Sequence, residues 1–403
     1  MLNTFIEARD TGRLLADRRK KGRAHYEQAL KSIADCRRAG DITNDLSFKD
    51  IFEAVVPDGS EALREMKSRR KGGNTIFIES GGTAVNTADF SNIIGQISYA
   101  DVLSNFDPDA NGYIGDQLLT VIPATTGQKE LVPGVTLIGD QAERVGENDD
   151  YPTAGIGEQF IVLPEIFKYG FIMNITEETL FEDKTGLVLQ NFNKAAEAMA
   201  INLEKERLST VLGITSSYSR NGGAVQATYG NSHTEGDGDN LIATNPLVNR
   251  ESFNNAKLYF NNLTDPDTGE PISMGRDYQV VVPDALEWTL GDILSAREYQ
   301  TTPALGSTAI RMKSDNPIYM GGRSYQPLSN LYVSSITGDD TTWFMGNFKK
   351  AFVERTIYPA TVEMQDRTSE LAFSKDIVAR VKVKRRSVPG VKDWRYVQKH
   401  TSG

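Results

Sequence analysis

Between residues 186 and 212 the sequence carries an apolar stripe that a helix alone brings onto one side. Val188, Phe192, Ala195, Met199 and Leu203 follow one another at spacings of four, three, four and four. Gly213 stands where a helix ends by taking left-handed backbone. At a rise of 1.5 Å per residue such a helix is a strut of roughly 40 Å, suited to a broad, flat domain. Just upstream, Thr176 offers an N-cap with Glu177 and Glu178 in the first turn, and Asp183 can restart the helix.

The segment before the strut has the other periodicity. Residues 131–144 and 159–173 are rich in β-branched and aromatic side chains, among them Val135, Ile138, Phe160, Ile161, Val162, Phe167 and Phe171. They flank a polar tip at 146–152, Gly-Glu-Asn-Asp-Asp-Tyr-Pro, which predicts a long antiparallel hairpin over 123–173. A two-stranded hairpin is marginal alone in water. It therefore needs a surface to lie on, and a neighbouring subunit supplies one.

The rest of the chain divides around these two features. Residues 1–73 read as a helical, charged N-terminal arm closed by Gly72-Gly73. Residues 74–122 mix short strands with a helix near 90–104. Residues 174–249 hold the strut and a Gly-rich insertion at 214–247. Residues 250–345 alternate helix and strand, with Ser252 as a cap, a strand at 278–282, a helix from Asp284 and a further strand at 331–336. Residues 346–403 return to extended structure at 348–364 and 371–385 and end in a basic tail. In the second strand Ile377, Ala379, Val381 and Val383 alternate with Asp376, Arg380, Lys382 and Lys384. The fold class expected is α+β.

Charge is unevenly spread. The overall net of −10 conceals an arm (1–73) with 16 Lys and Arg against 12 Asp and Glu, and a C-terminal stretch (375–403) with 9 against 2. Basic ends on an acidic body suit contacts with neighbouring subunits or with nucleic acid, or else solvated termini. The chain as a whole is too acidic for a sequence-specific DNA reader. Cys36 is the one cysteine, so no internal disulfide forms and a reducing compartment is expected. No apolar run is long enough for a membrane span, and the N-terminus lacks the pattern of a secretory signal.

Residues that carry chemistry are few. His25, His233 and His400 stand far apart without metal-ligand spacing, and read as exposed and uncatalytic. Cys36 beside Arg37 and Arg38 reads as a packing or surface residue. Asp107, Asp109, Asn111 and Gly112 match the first half of a calcium loop, but Leu118 stands where its bidentate Glu belongs, so a plain turn is expected. No nucleophile elbow or phosphate-binding glycine loop occurs. No catalytic, cofactor-binding or metal residue is assigned, no cofactor is expected, and the chain is read as no enzyme. Lys382, Lys384, Arg385 and Arg386 offer either phosphate contacts or a solvated sheet face.

The order of parts carries a resemblance. An arm precedes a long hairpin that ends in Asn174-Ile175-Thr176-Glu177-Glu178, then come the strut, an α/β segment and a strand at Phe373-Ser374-Lys375-Asp376-Ile377-Val378-Ala379-Arg380-Val381. Over residues 74–390 this resembles the major capsid protein of tailed double-stranded-DNA phages, the Hong Kong 97-type fold. The resemblance implies an E-loop for the hairpin, a peripheral P-domain built on the spine helix and terminal strands, and an axial A-domain for 250–345. It implies self-assembly through pentamers and hexamers into an icosahedral head in the virion, assembled in the host cytoplasm. Portal and scaffolding or decoration proteins are implied partners, as is packaged double-stranded DNA held non-specifically; no membrane is involved. An encapsulin-type nanocompartment shell is the alternative on the same fold. A hydrolase is disfavoured by the scarce histidines, and a tail or fibre subunit by the lack of repeats.

Overall fold

The computed structural model describes residues 111–133, 144–145, 147, 150–151, 160–176, 187–215, 218–231, 233, 239–264, 271–272, 275, 277–301, 312–320, 324–365 and 377–402. The arm at 1–73, the helix expected at 90–104, most of the hairpin tip, His25 and Cys36 lie outside the described residues.

In chain order the elements begin with α1 (Gly115–Leu118), β1 (Thr120–Pro123), β2 (Glu130–Pro133), β3 (Phe160–Leu163), β4 (Lys168–Thr176) and α2 (Leu187–Val211). Next come β5 (Leu241–Ile242), α3 (Arg250–Asn261), β6 (Asp277–Val282), α4 (Asp284–Ser295), β7 (Glu298–Thr301), β8 (Met312–Asp315) and α5 (Pro317–Met320). The last are β9 (Ser324–Ser329), α6 (Leu331–Thr337), β10 (Trp343–Gly346), α7 (Phe348–Ala351), β11 (Phe352–Gln365), β12 (Ile377–Val391), a 3-10 turn at Trp394–Tyr396 and β13 (Val397–His400). Helices and strands are mixed, as the α+β reading expects. The chain forms two compact units, one of Met1–Asn111, Lys168–Asn202 and Tyr358–Arg386, the other of Gly112–Phe167, Leu203–Ile357 and Ser387–Gly403.

In the first unit β12 runs antiparallel to β4, from Ile377 opposite Thr176 to Arg386 opposite Lys168, with an irregularity between Ile377 and Ala379. Alternation sorts the side chains: Val381, Val383 and Arg385 are buried, while Lys382 and Lys384 are half-buried. Arg385 is accommodated inside because its guanidinium lies 4.2 Å from the centroid of the Tyr169 ring and donates to Asn202 Oδ1 at 2.8 Å. On α2, Met199 and Leu203 of the expected stripe are buried and Ala195 is half-buried, with Ala196 and Ala200 also buried.

The second unit centres on a five-stranded sheet in the order β5-β13-β10-β6-β9. Strands β6 and β9 are parallel, β10 is antiparallel to both β6 and β13, and β5 is parallel to β13. Val280, Val281 and Val282 on β6 and Trp343, Phe344 and Met345 on β10 have no exposed surface. Central strands covered on both faces read as unbroken apolar runs. Complete burial of each large side chain contributes about 1.5–3 kcal/mol. Phe253, Ala256 and Phe260 of α3 and Leu290 and Ile293 of α4 belong to the same core. So do Leu208 and Val211 at the end of α2. There Gly213 has φ +75°, and a Cβ on it would lie 2.5 Å from the Tyr229 ring. The Tyr229 hydroxyl donates to the Val211 carbonyl at 2.7 Å, so the glycine ends the strut beneath a capping ring.

Several expectations are corrected. Residues 331–336 are helix, not strand. Asn330 accepts from the Tyr332 amide and Gly338 takes φ +69° at the C-cap, so N-terminal and C-terminal caps override the β-branched composition. The cap of α3 is Asn249, whose side chain accepts from the Glu251 and Ser252 amides, and not Ser252. Residues 348–351 are a helical turn before the strand begins. The second leg of the hairpin is divided: Phe160–Leu163 pairs with Glu130–Pro133, whereas Lys168–Thr176 pairs with β12. Pro164 breaks the run. Nor is the C-terminal stretch a solvated basic tail, since β12 continues to Val391 and β13 is an interior strand in which His400 is wholly buried.

Candidate assembly surfaces

The hairpin begins from a buried cation. Arg355 on β11, 1% exposed, stands opposite Ile122 of β1. Its guanidinium donates to the carbonyls of Gln128 at 3.1 Å, Pro164 at 2.9 Å and Thr126 at 3.3 Å, and forms an ion pair with Glu130. Thr126, Gln128 and Glu130 lead into β2, and Pro164 follows β3. A single side chain thus gathers both legs where they leave the body, and charged hydrogen bonds to carbonyls are the stronger kind. The ladder above it pairs Leu131 with Val162 and Pro133 with Phe160.

Apolar surface is left open on both sides of the root. Leu131 is 60% exposed, Tyr151 83% and Phe167 57%. In the same unit Trp288 of α4 is 86% exposed. Large exposed apolar side chains suit surfaces made for another protein.

A second buried network fixes the segment before β1. Glu204 on α2 accepts from the Ile114 amide at 2.9 Å and from the Gly115 amide at 3.0 and 3.2 Å. Burial raises its pKa above the ordinary carboxyl value, and the two amides oppose that shift. A Cβ on Gly115 would lie 2.5 Å from the Glu204 Oε2 and 2.7 Å from the Arg207 Cδ. One turn on, Arg207 pairs with Asp116 at 2.6 Å and Glu354 at 2.7 Å. Burial works against its charge, yet the two carboxylates outweigh that and hold its pKa above the usual value.

The residues singled out in the sequence fall as follows. His233 stacks on Trp394 with ring centroids 3.8 Å apart, and its Nε2 lies 2.9 Å from Asn240 Oδ1. His400 stacks on Trp343 at 4.1 Å and lies 3.2 Å from the Asn245 Nδ2. Both are packing residues, so the expectation of exposed histidines is corrected. Of the candidate cation loop only Asn111 and Gly112 are described, and Gly112 takes φ +66°. The basic cluster divides: Arg385 is inside, while Lys382 and Lys384 flank Glu363. These two lysines hold the Glu363 carboxyl below its ordinary pKa. Arg355, Glu204 and Arg207 were missed, because nothing in sequence separates a buried arginine from a surface one. Among the described residues no helix is long and apolar enough to cross a membrane.

A model of a phage capsid protein family matches residues 161–400. No curated protein shows significant similarity to the chain. Similar solved structures include the capsid of a native GTA particle, with a TM-score of 0.41, 10% identity and coverage of 83% of this chain and 97% of that one. A virus-like particle from Pyrococcus furiosus matches with a TM-score of 0.41, 10% identity and coverage of 75% and 97%. Gordonia phage Cozz matches with a TM-score of 0.40, 13% identity and coverage of 72% and 86%.

Proposed function

Because the chain belongs to the phage capsid protein family and is a structural subunit of a phage head, we propose that it closes into the icosahedral shell through pentamers and hexamers in the Hong Kong 97 manner. The observation that carries this reading is the hairpin rooted on Arg355. It is firmly built where it leaves the body and bears exposed Leu131 and Tyr151 beyond. An element of this kind gains its stability from a neighbour, and repeated heterologous contacts of that sort generate closed shells. Obligate contacts commonly bury more than about 2,000 Å², so most of the shell's stability is between subunits. In this reading β4, β11, β12 and α2 supply the peripheral domain and the five-stranded sheet the axial one. Portal and scaffolding or decoration proteins join it in the host cytoplasm, and the closed shell holds double-stranded DNA without reading its sequence.

The test is electron microscopy of the chain expressed alone, beside a variant in which residues 134–159 are replaced by Asn-Gly. Pro133 and Phe160 are register partners, so a two-residue turn joins them without disturbing the root. Wild-type shells and a folded variant that stays as free subunits are expected. Normal shells from the variant would remove the hairpin from the assembly mechanism.

A further inference from the structure

Resting on the reading that the shell encloses DNA, we propose that the solvent side of the β4–β12 pair is the surface that meets the phosphates of the packaged nucleic acid. Arg380, Lys382, Lys384 and Arg386 share one side of β12 by alternation, opposite to buried Val381, Val383 and Arg385. Successive cations stand about 6.8 Å apart and the row extends for about 20 Å. The register places Lys168 of β4 opposite Arg386, Gly170 opposite Lys384, Ile172 opposite Lys382 and Asn174 opposite Arg380. Five cations therefore share this side with Glu363 of β11, which pairs with Lys382 at 3.0 Å and also with Lys384. Arg380 donates to Asn174 at 2.9 Å.

Two features favour a polyanion over plain solvent. Lys168 and Arg386 are direct cross-strand partners, an arrangement that destabilises an isolated sheet. Neither makes an ion pair among the described residues, and the Arg386 Nε is buried with no hydrogen-bond partner. The like-charge pair is relieved when an anion lies over it. Gly170 has no side chain opposite Lys384, so a phosphate strand can approach that lysine closely. Glu363 is nearly half exposed, and an exposed pair of this kind is weak enough for phosphate to displace. The recognition is electrostatic and indifferent to sequence, as a shell lining requires.

The test measures binding of a short fluorescent duplex to the full-length, unassembled chain over a series of salt concentrations. Two variants accompany the wild type: the triple variant Lys168→Gln, Lys382→Gln, Lys384→Gln, and the single variant Glu363→Gln. The triple variant is expected to lose about tenfold or more in affinity and to flatten the slope of log K against log salt by about 2.7, three phosphate contacts' worth. Glu363→Gln should bind more tightly than wild type, an effect of opposite sign that a folding defect does not imitate. It decides the matter if the triple variant fails to fold. Unchanged affinity and slope in the triple variant, with normal shells, would overturn the phosphate surface and leave the head reading standing. Unchanged affinity with shells lost would overturn it in favour of a contact with an acidic neighbouring subunit. A wild-type chain that binds DNA through these residues but never closes into shells would keep the phosphate contact and overturn the head reading.

Discussion

Trp343 and His400 are cross-strand partners whose rings stack 4.1 Å apart in the interior of the second unit. The Trp343 indole N–H donates to the Asn245 carbonyl at 2.8 Å, and the same asparagine's side chain lies 3.2 Å from the His400 Nδ1. Burial brings the His400 pKa down from 6.5 to about 3. Within that window the unfolded chain takes a proton that the folded unit refuses. Stability is therefore complete above pH 6.5 and falls as the pH drops towards 3, by an amount of order 5 kcal/mol. Replacing His400 with Phe should keep the stack and flatten the acid limb of urea midpoints between pH 6 and 4. An unchanged limb would assign acid lability to other groups.

Asp393 and Arg395 form a bidentate pair, Nε to Oδ1 at 2.9 Å and Nη2 to Oδ2 at 2.8 Å, with both side chains almost wholly inside. Asp393 also accepts from the Arg395 amide at 3.0 Å and so caps the 3-10 turn. Asp393→Ala should cost about 3–5 kcal/mol, because it removes the carboxylate that pairs with a buried guanidinium. Replacing both residues with apolar side chains should cost less than replacing one. Chemical denaturation of the two single variants and the double variant separates these outcomes.

Arg355→Ala removes the clamp at the hairpin root. Three carbonyls and Glu130 lose their donor, a loss of about 3 kcal/mol in the unit. Amide exchange should rise first in 126–133 and 160–164 and much less in β6 and β10. Uniform acceleration over the whole unit would mean that the arginine supports the core generally and not the hairpin.

Gly115→Ala places a methyl group 2.5 Å from the Glu204 carboxylate. The carboxylate must shift from the two amides it accepts, at a cost of about 1–3 kcal/mol. A fall in melting temperature is expected, and pairing the change with Glu204→Ala should recover part of it. Additive losses would show that the two positions do not interact.

How far the sequence disclosed this architecture depends on the range of the interactions. The strut, its end at Gly213, the β6 strand and the alternation at 380–384 follow from local periodicity and are found as read. At 331–336 the β-branched composition misled, although Asn330 and Gly338 already carried the caps of a helix. The buried ion pairs were invisible for another reason. Arg355 meets carbonyls more than 190 residues away in sequence, and no window on the chain joins such positions. The pairing of β4 with β12 was hidden in the same way, since its hydrophobic pattern suits the hairpin equally well.

The placement of β13 also sets a schedule. This interior strand, residues 397–400, separates β5 from β10, so the sheet has a gap until residue 400 has left the ribosome. The Thr120 hydroxyl likewise waits for the Lys349 carbonyl, 229 residues later. Long-range pairings are made late and slowly. A growing chain thus exposes its hairpin residues well before it owns a finished body to brace them. Only a polypeptide extended through residue 400 carries the hairpin root and the completed sheet together.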